Sequence, residues 1–122
     1  MIKKLLVCDD EFDTHLFIEA TLEKYDLEIV DAWNGKQAIE VVKTNKPDLI
    51  IMDYKMPDMD GFEALVEIQK ISPEIPAILL SGINLDPGIK QNMEKYIVAH
   101  LVKPFDHSEL ISILKKVFGE KI

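Results

Sequence analysis

Short apolar segments alternate along the chain with longer segments in which apolar residues recur every three or four positions. Short runs that are apolar throughout are typical of strands buried on both faces, and the longer pattern is typical of amphipathic helices. The short runs predict five strands, at residues 4–8, 27–32, 48–52, 77–80 and 99–102.

The helices are predicted from periodicity and from their start signals. Periodicity places three of them at residues 12–25, 36–43 and 61–71. A fourth is predicted to begin at Asp86-Pro87, because Asp is a common N-cap and proline is tolerated at the first helical position. A fifth is predicted to begin at Asp106, where Glu109 completes the spacing of a capping box.

Strict alternation of strands and helices predicts an α/β fold. Strands that are apolar on both faces favour a parallel sheet covered by helices on both sides, and right-handed crossovers make it doubly wound. The 122 residues contain no repeat and no Gly/Ser-rich linker, so one domain is expected over residues 1–122. In such a sheet, ligands bind beyond the carboxyl ends of the strands.

The composition narrows the function classes. The chain has 14 basic residues, all of them lysine, against 22 acidic residues, for a net charge of −8. Direct binding of DNA or RNA requires a basic surface and is not expected. The apolar runs fall short of the ~18 residues of a membrane span, and the first residues do not form a secretory signal. We therefore expect a cytoplasmic protein, with Cys8 as a buried core thiol.

Polar residues stand where four of the predicted strands end. These are Asp9 and Asp10, Asp53, Ser81 and Lys103. Each alone is typical of a helix cap, a turn or a surface charge, but a parallel sheet brings all of them to one edge. Three adjacent carboxylates repel one another unless a cation joins them, and an all-oxygen donor set favours Mg²⁺. A lysine and a hydroxyl suit phosphoryl oxygens, and a carboxylate can accept a phosphoryl group.

Four segments of the sequence resemble the receiver domain of two-component response regulators, in an order that covers essentially the whole chain. They are LVCDD at 6–10, PDLIIMD at 47–53, MPDMDG at 56–61 and LVKPF at 101–105. The resemblance implies the flavodoxin-like (βα)5 receiver fold, with strand order 2-1-3-4-5. It also implies a function in signalling, as a phosphoacceptor rather than an enzyme.

The resemblance implies a role for each matching position. Asp53 corresponds to the aspartate that accepts a phosphoryl group from a kinase histidine. Asp9 and Asp10 correspond to the acidic pair that holds Mg²⁺ together with Asp53, and the backbone carbonyl of Lys55 corresponds to a further ligand.

Three more positions have implied roles. Ser81 corresponds to the hydroxyl that turns toward the phosphoryl group, and Lys103 to the lysine that pairs with it. The bond from Lys103 to Pro104 is expected to be cis. His100 stands where the family usually has a tyrosine or phenylalanine that rotates inward on activation.

Two of these residues make the chain similar to the standalone receiver of the sporulation phosphorelay, namely His100 and Lys55. In similar receivers, a long side chain at the position of Lys55 is associated with slow self-dephosphorylation. Ile83, two residues after Ser81, has no group that could orient an attacking water. We therefore expect a long-lived phosphoprotein.

A partner surface is expected beside the site. Leu16 and Ala20 are predicted to face inward from the first helix, which leaves Phe17 on an exposed or half-exposed stripe. The expected surface consists of Thr14, Phe17, Pro104 and Phe105. Similar receivers dock a sensor histidine kinase or a histidine phosphotransfer protein here and then act on a downstream protein target. The alternative is that both phenylalanines are core residues.

Two other functions are weighed against the signalling module. A small Mg²⁺-dependent phosphohydrolase of the haloacid-dehalogenase type needs an acidic residue two positions after its nucleophile, where this chain has Lys55. A degenerate receiver that works without phosphorylation would not need to retain the site residues Asp9, Asp10, Asp53, Ser81 and Lys103. The residues favour the phosphoacceptor over both.

Overall fold

The computed structural model describes residues 3–82 and 85–119. Ile83, which was expected to lack a group that could orient an attacking water, lies outside these residues. Within them, five strands alternate with five helices as the sequence predicts. The elements are β1 Lys3–Cys8, α1 Phe12–Leu22, β2 Leu27–Ala32, α2 Gly35–Asn45, β3 Leu49–Asp53, α3 Gly61–Ile71, β4 Ala77–Ser81, α4 Pro87–Met93, β5 Ala99–Val102 and α5 His107–Phe118.

All strand pairs are parallel, and their order is β2-β1-β3-β4-β5. The connection after β1 leads to β2 on one side of it, whereas the connection after β2 leads to β3 on the other side of β1. This change of direction leaves a crevice at the carboxyl ends of β1 and β3. The predicted doubly wound fold and its strand order are therefore confirmed.

The sheet separates two apolar cores. Alternate residues of the central strands point to opposite faces, so that Leu6 and Ile50 lie in the core under α2, α3 and α4. Leu5 and Ile51 lie in the core under α1 and α5. All four side chains are fully buried, which is why these strands read as continuous apolar runs. Cys8 is buried as predicted.

The predicted helix starts are confirmed where a side chain caps them. Asp86 accepts a hydrogen bond from the backbone of Gly88 at the start of α4. Asp106 and Glu109 form a complete capping box at the start of α5. Helix α1 ends at Leu22, three residues before the predicted end, because residues 23–26 turn toward β2.

The predicted orientation of α1 is wrong. Leu16 is 47% exposed and Ala20 is exposed, whereas His15, Ile18 and Leu22 face the core. A histidine occupies the first position of the buried stripe, so a count of apolar residues places the inward face one residue, or about 100°, away from its true position.

None of the helices within residues 3–82 and 85–119 has the length and apolar character that crossing a bilayer requires.

Candidate functional site

Three carboxylates meet at the crevice between β1 and β3. The parallel register pairs Cys8 with Met52, so the residues that follow them, Asp9 and Asp53, are neighbours. Asp10 completes the group, and one carboxylate oxygen from each residue lies within 4.8 Å of the other two. Asp9 and Asp53 are buried, whereas Asp10 is exposed at the mouth of the crevice.

Lys103 joins two of these carboxylates from the end of β5. Its Nζ lies 2.7 Å from Asp9 Oδ2 and 3.2 Å from Asp53 Oδ1. Burial disfavours the ammonium form of Lys103, but the hydrogen bond to Asp9 and the charge of Asp53 outweigh burial, so the pKa of Lys103 is raised. The lysine is therefore a fixed positive charge beside the carboxylate of Asp53.

One lysine does not balance the negative charge of the pocket. The pKa of Asp53 is raised from 3.8 to about 7, first by burial and then by the charge of Asp9, although Lys103 acts in the opposite direction. A cation that binds the three carboxylates would relieve this repulsion. The donor set consists of oxygens alone, which fits Mg²⁺ better than zinc.

Ser81 lies at the end of β4, on the side of the crevice toward β5, and is buried. Its hydroxyl donates to the backbone carbonyl of Gly82 over 3.2 Å and is hydrogen-bonded to Nε2 of His100. Burial, together with the charge of Lys90, lowers the pKa of His100. The structure thus connects the two residues that the sequence singled out separately.

The peptide bond between Lys103 and Pro104 is cis, as the resemblance implies. The loop after β3 depends on a close backbone approach at Gly61, where a Cβ would run into the backbone carbonyl of Asp53. The amide of Gly61 donates to the carbonyl of Tyr54 over 2.7 Å. A glycine is therefore needed to bring the start of α3 against the end of β3. Lys55, in the same loop, has an exposed side chain.

The expected partner surface lies beside Lys103. The ring of Phe17 packs edge-on against Phe105 with a centroid distance of 5.4 Å and stacks on His107 at 4.4 Å. Both phenylalanines are half-buried. With Thr14 and Pro104 they line an open groove next to the acidic pocket. The structure therefore brings all four residues of the expected surface together.

Sequence reasoning missed a pair of side chains beneath the acidic pocket, the buried His15 and the exposed Asp31. His15 Nδ1 lies 2.6 Å from Asp31 Oδ1, and its Nε2 lies 2.8 Å from the backbone carbonyl of Asp9. The spacing of His15 with Ile18 and Leu22 was the available signal, since these positions share one face of a helix.

The sequence of this chain matches that of a known protein family. The model of the response regulator receiver domain family matches residues 5–115. The chain is 31% identical over 116 residues to sporulation initiation phosphotransferase F of Bacillus subtilis, covering 95% of this chain and 94% of that protein. It is 32% identical over 118 residues to the chemotaxis protein CheY of Thermotoga maritima, covering 96% and 98%.

Solved structures of receivers have the same fold. The chemotaxis protein CheY4 of Vibrio cholerae superposes with a TM-score of 0.87 at 28% identity, covering 96% of this chain and 99% of that one. A response regulator receiver domain protein from Clostridium thermocellum also gives 0.87 at 28% identity, covering 98% and 97%.

Proposed function

Because this chain belongs to the response regulator receiver domain family, we propose that Asp53 accepts a phosphoryl group from a histidine of a sensor kinase or phosphotransfer protein. The observation that carries the proposal is the placement of Asp53, which is buried, in contact with Lys103 and adjacent to two further carboxylates. The gain of one phosphoryl group on incubation with acetyl phosphate and Mg²⁺, read by intact mass, is the direct test. We further propose that residues 1–122 act as one receiver domain in the cytoplasm.

The proposed transfer is a direct displacement at phosphorus. A carboxylate oxygen of Asp53 bonds to the phosphorus, the bond from phosphorus to the donor histidine breaks, and its electron pair stays on the imidazole nitrogen. Lys103 is placed to bind a phosphoryl oxygen, because its Nζ already lies 3.2 Å from Asp53 Oδ1. The crevice thus holds the acceptor and one positive charge where the phosphoryl group arrives.

The proposed metal is Mg²⁺, held by Asp9, Asp10, Asp53 and the backbone carbonyl of Lys55. When bound, the ion supplies positive charge that offsets the charge of the entering phosphoryl group. Support comes from the all-oxygen donor set and from the pKa of Asp53, which is raised first by burial and then by the charge of Asp9.

The proposed switch consists of Ser81 and His100. The Ser81 hydroxyl now bonds to the ring of His100. If the Ser81 hydroxyl turns toward a phosphoryl group on Asp53, its hydrogen bond to His100 breaks. The ring of His100 is then free to adopt another side-chain conformation on β5, the edge strand on which Val102 is exposed. That surface change would alter the affinity for a downstream protein target.

The site does not favour the alternative function, that of a phosphohydrolase. Its general acid would stand two residues after Asp53, and that position is held by Lys55, whose side chain is exposed. The mechanism requires an acidic side chain at that position to protonate the leaving group.

The phosphorylated protein is expected to lose its phosphoryl group slowly, since the long side chain of Lys55 lies in the loop beside the acceptor. Lys55→Asn shortens that side chain and should speed self-dephosphorylation severalfold, measured as loss of the phosphorylated mass over time. Lys24→Asn, at an exposed lysine beyond the end of α1, is the matched control. A Lys55→Asn variant as slow as the control would remove this explanation.

The phosphodonor protein is proposed to dock on the groove lined by Thr14, Phe17, Pro104 and Phe105. Phe17→Ala should slow transfer from the donor protein by about fivefold or more, as expected for a truncated interface aromatic that contributes above 1 kcal/mol. Transfer from acetyl phosphate should be unchanged, because this small donor needs no docking surface.

The matched control for docking is Leu16→Ala, on the same helix but 47% exposed and turned about 100° from Phe17. It should leave both reactions unchanged. Equal slowing of both reactions by Phe17→Ala would place Phe17 in the core. A larger effect of Leu16→Ala than of Phe17→Ala on the protein reaction would place the donor on the face of α1 that carries Leu16.

A further inference from the structure

A buried histidine lies beneath the acidic pocket. His15 is 3% exposed, on the inner face of α1. Its Nε2 lies 2.8 Å from the backbone carbonyl of Asp9, and its Nδ1 lies 2.6 Å from Oδ1 of Asp31, a residue of β2. The ring of Trp33 covers it, with a centroid distance of 3.8 Å. The imidazole is therefore fixed by a contact at each nitrogen and by an aromatic face.

The partners of the two ring nitrogens determine what the ring does. The Asp9 carbonyl can only accept, so Nε2 of His15 donates to it. Nδ1 lies within hydrogen-bond distance of the Asp31 carboxylate, so the second nitrogen of the ring is also held in place. A carboxylate behind a histidine fixes the orientation of the ring, as outer-shell carboxylates do at metal sites.

The carbonyl that His15 holds belongs to a residue whose every polar atom is engaged. The amide of Asp9 donates to Ala32 over 3.2 Å. Its Oδ1 accepts from the amide of Glu11 over 2.9 Å, and its Oδ2 accepts from Lys103 over 2.7 Å. His15 supplies the remaining contact, to the backbone oxygen.

That backbone oxygen also determines where Asp10 lies. The peptide group is planar, so the direction of the Asp9 carbonyl sets the direction of the following amide and the place of the Asp10 Cα. Asp10 is the exposed member of the acidic group, and its backbone is the link between the buried end of β1 and the start of α1. A hydrogen bond to the Asp9 carbonyl thus acts on both carboxylates of the pair.

We propose that His15 and Asp31 are positioning residues for the metal site: they fix the peptide between Asp9 and Asp10 and thereby direct both carboxylates toward Mg²⁺. The inference rests on the proposed function of these two aspartates as Mg²⁺ ligands. It adds a second layer to the site, contributed by α1 and β2.

The test compares two substitutions of His15 by the Mg²⁺ dissociation constant of the folded chain, measured by titration calorimetry. His15→Leu removes both ring nitrogens and should raise the Kd about tenfold or more, the usual cost of losing an outer-shell partner. His15→Gln keeps an amide donor that can reach the Asp9 carbonyl, and it should recover most of the affinity. A variant His15→Gln as weak as His15→Leu would contradict the donor role.

A structural role alone predicts a different pattern. Chemical denaturation without Mg²⁺ measures the stability that each variant loses. If His15 only supports packing, His15→Leu lowers the free energy of unfolding but leaves the Kd of the folded protein at the wild-type value. That result would overturn the proposal.

Substitution of Asp31 provides an independent test, because Asp31 is exposed and its loss leaves the apolar core unchanged. Asp31→Ala should also weaken Mg²⁺ binding, and it should add nothing in the His15→Leu background, because Asp31 acts through His15. Asp26→Ala, at an exposed aspartate just before the other end of β2, controls for the loss of one negative charge.

The outcomes separate this inference from the proposed function. A wild-type protein that binds no Mg²⁺ would defeat the proposed metal site and the positioning pair together. A wild-type protein that binds Mg²⁺, with Asp31→Ala binding as tightly as Asp26→Ala, would defeat the positioning pair alone. The comparison of Asp31→Ala with Asp26→Ala tests the positioning pair even if His15→Leu does not fold.

Discussion

Asp53→Asn is expected to abolish the acid-labile phosphoryl group that the wild-type protein gains from acetyl phosphate and Mg²⁺. The amide of Asn has the shape of the carboxylate but lacks its nucleophilic oxygen. Asp53 is 4% exposed and its Oδ1 lies 3.2 Å from Nζ of Lys103, so it is held where an acceptor must lie. Intact mass spectrometry with acid and neutral quenching measures the effect, which should be a complete loss.

The matched control for the acceptor is Asp58→Asn. Asp58 is exposed in the loop between β3 and α3 at a φ of 70°, a conformation that Asn also adopts readily. This variant should be labelled like the wild type. Labelling that survives in Asp53→Asn and maps to another residue would refute the assignment of the acceptor.

Mg²⁺ is expected to raise the melting temperature, because it binds the folded acidic pocket and has no comparable site in the unfolded chain. At a Mg²⁺ concentration of 100 times the Kd, the stabilisation is about 2.7 kcal/mol. For a domain of this size that corresponds to an increase of about 10 °C. Thermal denaturation over a Mg²⁺ titration at constant ionic strength measures the effect, and the ionic strength control removes general screening.

Asp10→Asn tests whether the three carboxylates share this site. Without Mg²⁺ the variant should melt at a higher temperature than the wild type. Burial and the charge of Asp9 are the main causes of the raised pKa of Asp53, and the charge of Asp10 adds to them. With Mg²⁺ the increase should be much smaller, because one ligand is missing. Asp13→Asn, at an exposed aspartate in the first turn of α1, is the charge control. Identical melting of Asp10→Asn and wild type at every Mg²⁺ concentration would contradict a shared site.

Much of the fold was predictable because its signals are local. The central strands β1, β3 and β4 are largely buried on both faces and read as apolar runs. All five strands were located to within one residue at each end. Helix starts were predicted well where a side chain caps the backbone, as Asp106 does. The orientation of α1 was wrong because its buried stripe begins with His15, whose polar atoms are satisfied by Asp31 and by the Asp9 carbonyl, a contact that no local pattern contains.

The functional site was also only partly predictable from the sequence. The identity and order of Asp9, Asp10, Asp53 and Lys103 were readable from the ends of the predicted strands, since parallel strands place these ends at one edge. The arrangement of the charges was not readable. Lys103 reaches Asp9 across 94 positions of the sequence, and its ion pairs depend on how β5 lies relative to β1.

The sequence by itself therefore determined which residue types reach the crevice, because period and capping depend on neighbours a few positions apart. Only the tertiary structure decided which of them touch. The bond between Ser81 and His100 joins adjacent strands, and the pair of His15 and Asp31 joins α1 to β2. Such contacts form when both cores pack against the sheet at once, and their geometry follows from that packing rather than from any segment alone.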